Sequence, residues 1–340
     1  MTVFVTQLIK KGSYNALLKS RNDIAYFLAE ENVSSIPLKK FRNRVEKLFF
    51  SPGCVRKVLH HLSAGDTLII QYPSQLGRRF DNMLMDQLIA AHIHTVALIH
   101  DLDSLRFKNN ILLPSVKQEV EDLNCYDYVI ASNKVMRKFL VNEGLKVPCG
   151  NLELFDYYHF GDVPVGKYAK TLNFAGNLNK ARFLAKLHPG PIQVDIYGKS
   201  PSRPRNRELL NQGKVDTEIL PSKLRRGFGL VWDGNSIEKV SGNFGNYLKI
   251  NSPHKMSLYL SSGLPVVVWK KSALADFVIQ KQCGLAVDSL SEAIGDITHM
   301  SVETYDNWSR NSQRIGEGLI KGVNTKRAVK AALASVQKKV

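Results

Sequence analysis

Short apolar runs alternate with longer amphipathic stretches along the whole chain. This is the pattern of parallel sheets covered by helices on both faces. In the first half, Val3-Phe4-Val5, Thr67-Leu68-Ile69-Ile70, His94 to Ile99 and Tyr128-Val129-Ile130 predict strands. One helix is predicted over 14–31, and another over 79–91 with Phe80, Met83, Leu84, Leu88 and Ile89 on one face. A third begins near Asn133. The pattern restarts with a strand at Thr171 to Ala175 that breaks at Gly176-Asn177. A helix through Leu187 follows, then strands at 192–197, 228–232, 265–269 and 284–287, and a last helix over 324–338.

Periodicity fades between Pro148 and Thr171, where Pro148, Gly150, Gly161, Pro164 and Gly166 cluster. The expected organisation is therefore an α/β chain of two Rossmann-like lobes, 1–150 and 151–323, with a terminal helix over 324–340. Two doubly wound sheets in tandem should face each other across a cleft at the carboxyl ends of their strands, where ligands of such folds bind.

Composition narrows the setting. A chain of 340 residues with 44% hydrophobic content can bury about two cores. Its apolar runs fall far short of the roughly 20 residues a spanning helix needs. Met1-Thr2-Val3-Phe4-Val5, with lysines only after the apolar stretch, reads as a buried strand and not as an export signal, so a cytoplasmic protein is expected. Cys54, Cys125, Cys149 and Cys283 form no CxxC pair, which fits reduced thiols and no structural zinc. Lys and Arg outnumber Asp and Glu by 47 to 30, a formal charge of +17. The basic runs at 39–47, 78–79, 199–207 and 223–226 suit a phosphate-bearing substrate and peripheral contact with an anionic membrane face. No aromatic RNP strand or zinc finger points to nucleic acid. GxSxG, HExxH and Walker motifs are absent.

The richest chemical signal is Asn251-Ser252-Pro253-His254-Lys255, leading to Gly263-Leu264-Pro265. Ser252 suits a helix N-cap, Pro253 the first helical position and Gly263 the left-handed residue that closes the helix. Such an N-terminus offers free N–H groups and about half a positive charge to an anion. Lys249 and Lys255 add full charges. An ordinary capped helix explains the segment equally well.

A strand–Gly–helix turn, Gly176-Asn177-Leu178-Asn179-Lys180-Ala181-Arg182, lets backbone approach a ligand and offers Arg182 to two phosphate oxygens. His100-Asp101-Leu102-Asp103-Ser104-Leu105-Arg106 follows a first-lobe strand. Asp101, Asp103 and His100 are candidates to orient an acceptor hydroxyl or take its proton. A capping Asp paired with Arg106 is the structural alternative. Asp-x-Asp also suggests a metal, but three cationic candidates already neutralise phosphate, so no metal is assigned. After the first strand, Gly12-Ser13-Tyr14-Asn15 is either a helix cap or a loop whose Asn15 touches the ligand.

The run from Asn251 to Val266, Ala273 to Phe277, His100 to Arg106 and Phe174 to Leu178 together resemble the bacterial glucosyltransferases that add the second sugar to serine-rich-repeat adhesins, with galactofuranosyltransferases as relatives. The resemblance spans nearly the whole chain. It implies a GT-B fold, a UDP-sugar donor with no further cofactor or metal, and transfer of glucose from UDP-glucose to GlcNAc O-linked on an adhesin. It also implies homo-oligomers, often tetramers. Donor contacts would fall on Arg182, on Tyr247, Leu248, Lys249, Ile250, Asn251 and Ser252, and near Asn15. Many retaining GT-B enzymes carry Glu where Leu258 stands, so an inverting mechanism is expected. Two alternatives remain: a galactofuranosyl- or other hexosyltransferase of capsule or lipid-linked glycan synthesis, and a non-enzymatic glycan- or partner-binding subunit.

Overall fold

The computed structural model describes residues 2–9, 16–107, 113–199 and 206–338. The chain forms two compact units, residues 1–153 together with 322–340, and residues 154–321.

The first unit holds a six-stranded sheet of β1 (Val3–Ile9), β2 (Ser34–Lys39), β3 (Thr67–Tyr72), β4 (His94–Ile99), β5 (Tyr128–Ala131) and β6 (Cys149–Asn151). Every pairing is parallel, in the order β2-β1-β3-β4-β5-β6. Central strands such as β3 and β5 are buried at every residue, as expected of a sheet covered on both faces. The chain goes from β1 to β2 on one side, then crosses to β3 on the other. The direction therefore reverses between β1 and β3.

The second unit repeats this design. Its strands are β7 (Lys167–Ala175), β8 (Gln193–Tyr197), β9 (Leu210–Gly213), β10 (Arg226–Val231), β11 (Val266–Trp269) and β12 (Gly284–Val287). They are all parallel, in the order β12-β11-β10-β7-β8-β9, so the reversal lies between β7 and β10. Two buried clusters, one including Phe174, Phe228 and Trp232 and the other Met256, Tyr259 and Val266, enclose this sheet.

Several expectations are corrected. Strands β2, β6 and β9 lie at sheet edges, where few apolar residues are needed. Pro37 sits in β2 because an edge strand tolerates a missing N–H. The helix expected through Leu187 is a 3₁₀ turn, Arg182–Lys186. In the helix Arg78–Ala90, Ile89 is exposed and Met85 is buried in its place. The last helix, Val323–Gln337, packs on the first unit. There Arg327 donates to the Leu152 carbonyl at 2.7 Å, and Lys326 pairs with Glu30 at 2.6 Å.

Candidate functional site

In the second unit, three loops meet at the carboxyl ends of β7 and β10. Gly176 follows β7, Asp233 follows β10, and Lys255 lies in the first turn of the helix His254–Ser261 that leads into β11. Lys255 Nζ is 3.3 Å from both Asp233 carboxylate oxygens and 3.2 Å from the Trp232 carbonyl. It also lies 4.6 Å from the centre of the Phe174 ring, a cation–π distance. A Cβ on Gly176 would come within 3.3 Å of Lys255 Cε, a tight contact that the glycine avoids where the lysine crosses the turn.

Tyr259 fixes that turn from below. Its hydroxyl accepts the Ala175 N–H at 2.7 Å, and burial pushes its own ionisation far up. The helix is held from behind as well. The Leu264 N–H donates to the Tyr259 carbonyl and the Gly263 N–H to Leu260, a Schellman closure with Gly263 at φ 74°. A Cβ at Gly263 would lie 1.8 Å from the Pro164 carbonyl.

The start of this helix differs from the expectation. Pro253 occupies the cap position, at φ −70° and ψ 131°, and Ser252 lies one residue outside. Proline disfavours helical backbone in the residue before it, so the extended chain continues through Ser252. Pro253 itself supplies no side-chain cap to the helix.

The other predicted donor residues divide into two groups. Arg182 is exposed, and the Ala181–Gly234 bridge with the Phe183 N–H on the Gly234 carbonyl holds its backbone beside the Asp233 turn. Asn177 is exposed and accepts the Asn179 N–H at 3.0 Å. Lys249 is exposed, its Nζ 5.5 Å from the Trp269 ring centre at the carboxyl end of β11. Asn251 is half-buried, and its Oδ1 is a buried acceptor with no partner among the described residues. Ile250 is half-buried, whereas Tyr247 and Leu248 are core residues. Both backbone polar groups of Leu248 are engaged, with Gly245 and Ala273, so it has little left to offer a ligand. The sequence did not single out Asp233 or Tyr259. A lone Asp after a strand and a Tyr within a helix carry no spacing signal.

In the first unit, the segment His100 to Arg106 lies at the carboxyl end of β4, beside a buried polar cluster. Gln71 donates its amide N–H groups to the carbonyls of Thr6 and Arg21, at 2.7 and 3.1 Å. Its Oε1 therefore accepts from His100 Nε2, at 2.8 Å. His100 Nδ1 is 3.2 Å from the Ser20 hydroxyl, so both ring nitrogens are engaged within the fold. Asp101 forms an ion pair with Arg106. The buried Glu119 accepts the Asp103 N–H at 3.0 Å, the Ser104 N–H at 3.1 Å and the Ser104 hydroxyl, which pins the short helix Asp103–Arg106. Asp103 is the candidate whose carboxylate accepts no hydrogen bond from a described residue. Burial raises its pKa, against the pull of Arg106 and Arg21.

Arg21, Asp81 and Glu119 complete this cluster and carry no sequence motif. Arg21 is 1% exposed and donates to the carbonyls of Gln71 and Pro73 at 2.7 and 2.6 Å. Burial lowers its pKa to about 10, although Asp101, Asp81 and Asp103 lie near. Burial pushes Asp81 up to about 7, opposed by a Ser74 hydrogen bond and the Arg21 charge. Asn15 and its neighbours 12–14 lie outside the described residues. Among the described residues, no three His, Cys, Asp or Glu side chains gather as a metal site, and no helix is long and apolar enough to cross a membrane.

Residues 2–154 match the family model described as glucosyltransferase 3-like, N-terminal domain, and residues 172–332 match its C-terminal domain. The chain is 31% identical over 315 residues to the β-1,6-galactofuranosyltransferase WbbI of Escherichia coli (strain K12), covering 91% of each chain. It is 27% identical over 339 residues to Glucosyltransferase 3 of Streptococcus gordonii, covering 99% of each. Among solved structures, apo OtsA superimposes with a TM-score of 0.65 at 10% identity, covering 97% of this chain and 98% of that one. The fold is GT-B, with two parallel six-stranded sheets.

Proposed function

The chain belongs to the glucosyltransferase 3-like family of glycosyltransferases, and from that premise we propose that its second unit holds the diphosphate of a UDP-sugar at the reversal between β7 and β10. The observation that supports this is the convergence of Gly176, Lys255 and the backbone of Arg182 at the carboxyl edge of those strands. Doubly wound sheets bind ligands at such a reversal. Arg182, Lys249, Lys255 and the positive N-terminal end of the helix His254–Ser261 would stabilise the charge that develops as UDP leaves. The acceptor hydroxyl attacks the anomeric carbon and loses its proton to a first-unit carboxylate. Asp103 is the favoured one, because its oxygens are uncommitted and a raised pKa makes a better base. His100 is instead engaged by Gln71 and Ser20, and Asp101 by Arg106, which suits them to shaping the site and not to taking the proton.

For the sugar, we favour glucose from UDP-glucose onto a GlcNAc-bearing acceptor such as an O-glycosylated adhesin, on the full-length similarity to Glucosyltransferase 3. The similarity to WbbI supports a second reading, transfer of galactofuranose. Incubation with UDP-glucose or UDP-galactofuranose, a GlcNAc-peptide or a lipid-linked glycan, and measurement of UDP release and product stereochemistry would decide between them. Transfer from neither donor would count against the hexosyltransferase reading.

A further inference from the structure

The helix Arg44–Leu59 of the first unit has two apolar faces where a surface helix needs one. Val55 and Val58 are buried, together with Ser51 one turn earlier. Val45, Leu48 and Phe49, at i, i+3 and i+4, are 62%, 47% and 70% exposed, and Phe50 beside them is 61% exposed. No other described helix exposes more than two large apolar side chains. A cluster of this kind marks an interaction surface.

The charge around it is one-sided. Between residues 32 and 65 the sequence has seven basic side chains, at 39, 40, 42, 44, 47, 56 and 57, and one acid, Glu46. That is a local charge of +6 out of +17, on a tenth of the chain. Glu46 is committed to capping: its carboxylate accepts the Arg42 N–H at 2.7 Å, and its own N–H donates to Asn43 at 2.9 Å. Lys47 Nζ lies 3.3 Å from where a Gly77 Cβ would be, so the basic belt reaches the exposed Arg79 on the neighbouring helix.

We propose that this helix is a docking site for an anionic phospholipid bilayer. The apolar stripe enters the boundary between headgroups and acyl chains while Lys39, Arg42, Arg56 and Lys57 meet lipid phosphates. An exposed cluster of aromatic and aliphatic side chains set among cations can bury its apolar area at the bilayer boundary while the cations are attracted to anionic headgroups. A second copy of the chain is a poorer occupant, because pairing the stripe with itself would bring two +6 belts together. The inference is independent of which sugar is transferred.

The test is flotation of the full-length protein with phosphatidylcholine vesicles, with and without phosphatidylglycerol. The protein should float with the phosphatidylglycerol vesicles and be released by high salt. Phe49→Ser with Phe50→Ser should lower the bound fraction about tenfold or more, and Arg56→Glu with Lys57→Glu should do the same. All four side chains are exposed, so the unfolding midpoint should hold in both variants. UDP affinity measured by calorimetry should not change, which separates failure of this proposal from failure of the donor site. Wild-type protein that stays with the solution fraction would overturn the proposal. So would a Phe49→Ser, Phe50→Ser variant that floats like wild type, or one that turns a dimer into a monomer in light scattering and so assigns the face to a second copy.

Discussion

Lys255 and Asp233 form a half-buried ion pair, with Nζ 3.3 Å from each carboxylate oxygen, where the donor diphosphate is proposed to bind. The lysine is therefore neutralised before any phosphate arrives, and an incoming diphosphate has to compete with the aspartate. Asp233→Asn should release that charge and tighten UDP binding by about 1 kcal/mol, or roughly fivefold. Lys255→Ala should weaken binding by a similar factor or more. Calorimetric titration of UDP into both variants measures the pair. If Asp233→Asn binds UDP more weakly than wild type, the carboxylate is itself a donor contact and the competition described here does not occur.

Asp81 makes stability depend on pH in the direction opposite to a salt-bridged carboxylate. Its pKa is raised from 3.8 to about 7 by burial, so the folded state retains a proton that the unfolded chain has already lost. Stability is therefore lost as pH rises from about 4 through about 7, by an amount on the order of 3 kcal/mol. Burial also raises Glu119 and Asp103, which act in the same sense. Asp81→Asn keeps a polar group near Ser74 and removes the titration. Urea unfolding at pH 5 and pH 8 should show the variant gaining on wild type by clearly more at pH 8, where the whole loss has occurred, than at pH 5, where only about a third of it has. Equal gains at both pH values would rule out ionisation of Asp81 as the cause.

The sequence made the central strands legible because they are buried on both faces and read as unbroken apolar runs, as in Val96 to Ile99 and Val266 to Trp269. Strand β9, Leu210–Gly213, is exposed along most of its length and has no such run. The segment around Lys255 could be found because caps and cations have local signatures. The residues that control it could not. Asp233 is 22 positions away from Lys255, and Tyr259 reaches Ala175 across 84 positions. These contacts come from the parallel crossovers, which bring the ends of β7 and β10 together and leave no periodic trace. The cluster in the first unit follows the same logic. Arg21 meets the end of β3 across 50 residues, and Glu119 meets Ser104 across 15.

The terminal helix Val323–Gln337 was visible as a helix, but the unit it joins was not. It returns to the first unit and buries Thr325, Ala328, Val329, Ala332 and Val336 there. Burial of several apolar side chains contributes several kcal/mol, comparable to the whole stability of a domain. A chain ending at Lys321 should therefore lose the first unit's fold before the second's. Limited proteolysis followed by mass spectrometry should show cuts within residues 16–153 while 154–321 persist. Equal protection of both units in the shortened chain would show that the helix is dispensable.

Tyr259→Phe separates the support of the donor turn from its charge. The substitution removes one oxygen and leaves the Ala175 N–H, now accepted at 2.7 Å, buried without a partner. An unsatisfied buried donor costs about 1–3 kcal/mol, so the unfolding midpoint in urea should fall by that amount. Ala175 immediately precedes Gly176, the residue that Lys255 crosses at close range. A looser strand end should therefore also weaken UDP binding, by roughly threefold to tenfold, although Tyr259 is fully buried and its ring supplies no charge. Thermal shift at saturating UDP tests the two effects together. The variant should start lower than wild type and gain less on adding nucleotide. If it starts lower but gains as much, the hydroxyl stabilises the fold without shaping the site, and the Gly176 turn is held by the Tyr197 carbonyl, which accepts its N–H at 2.9 Å.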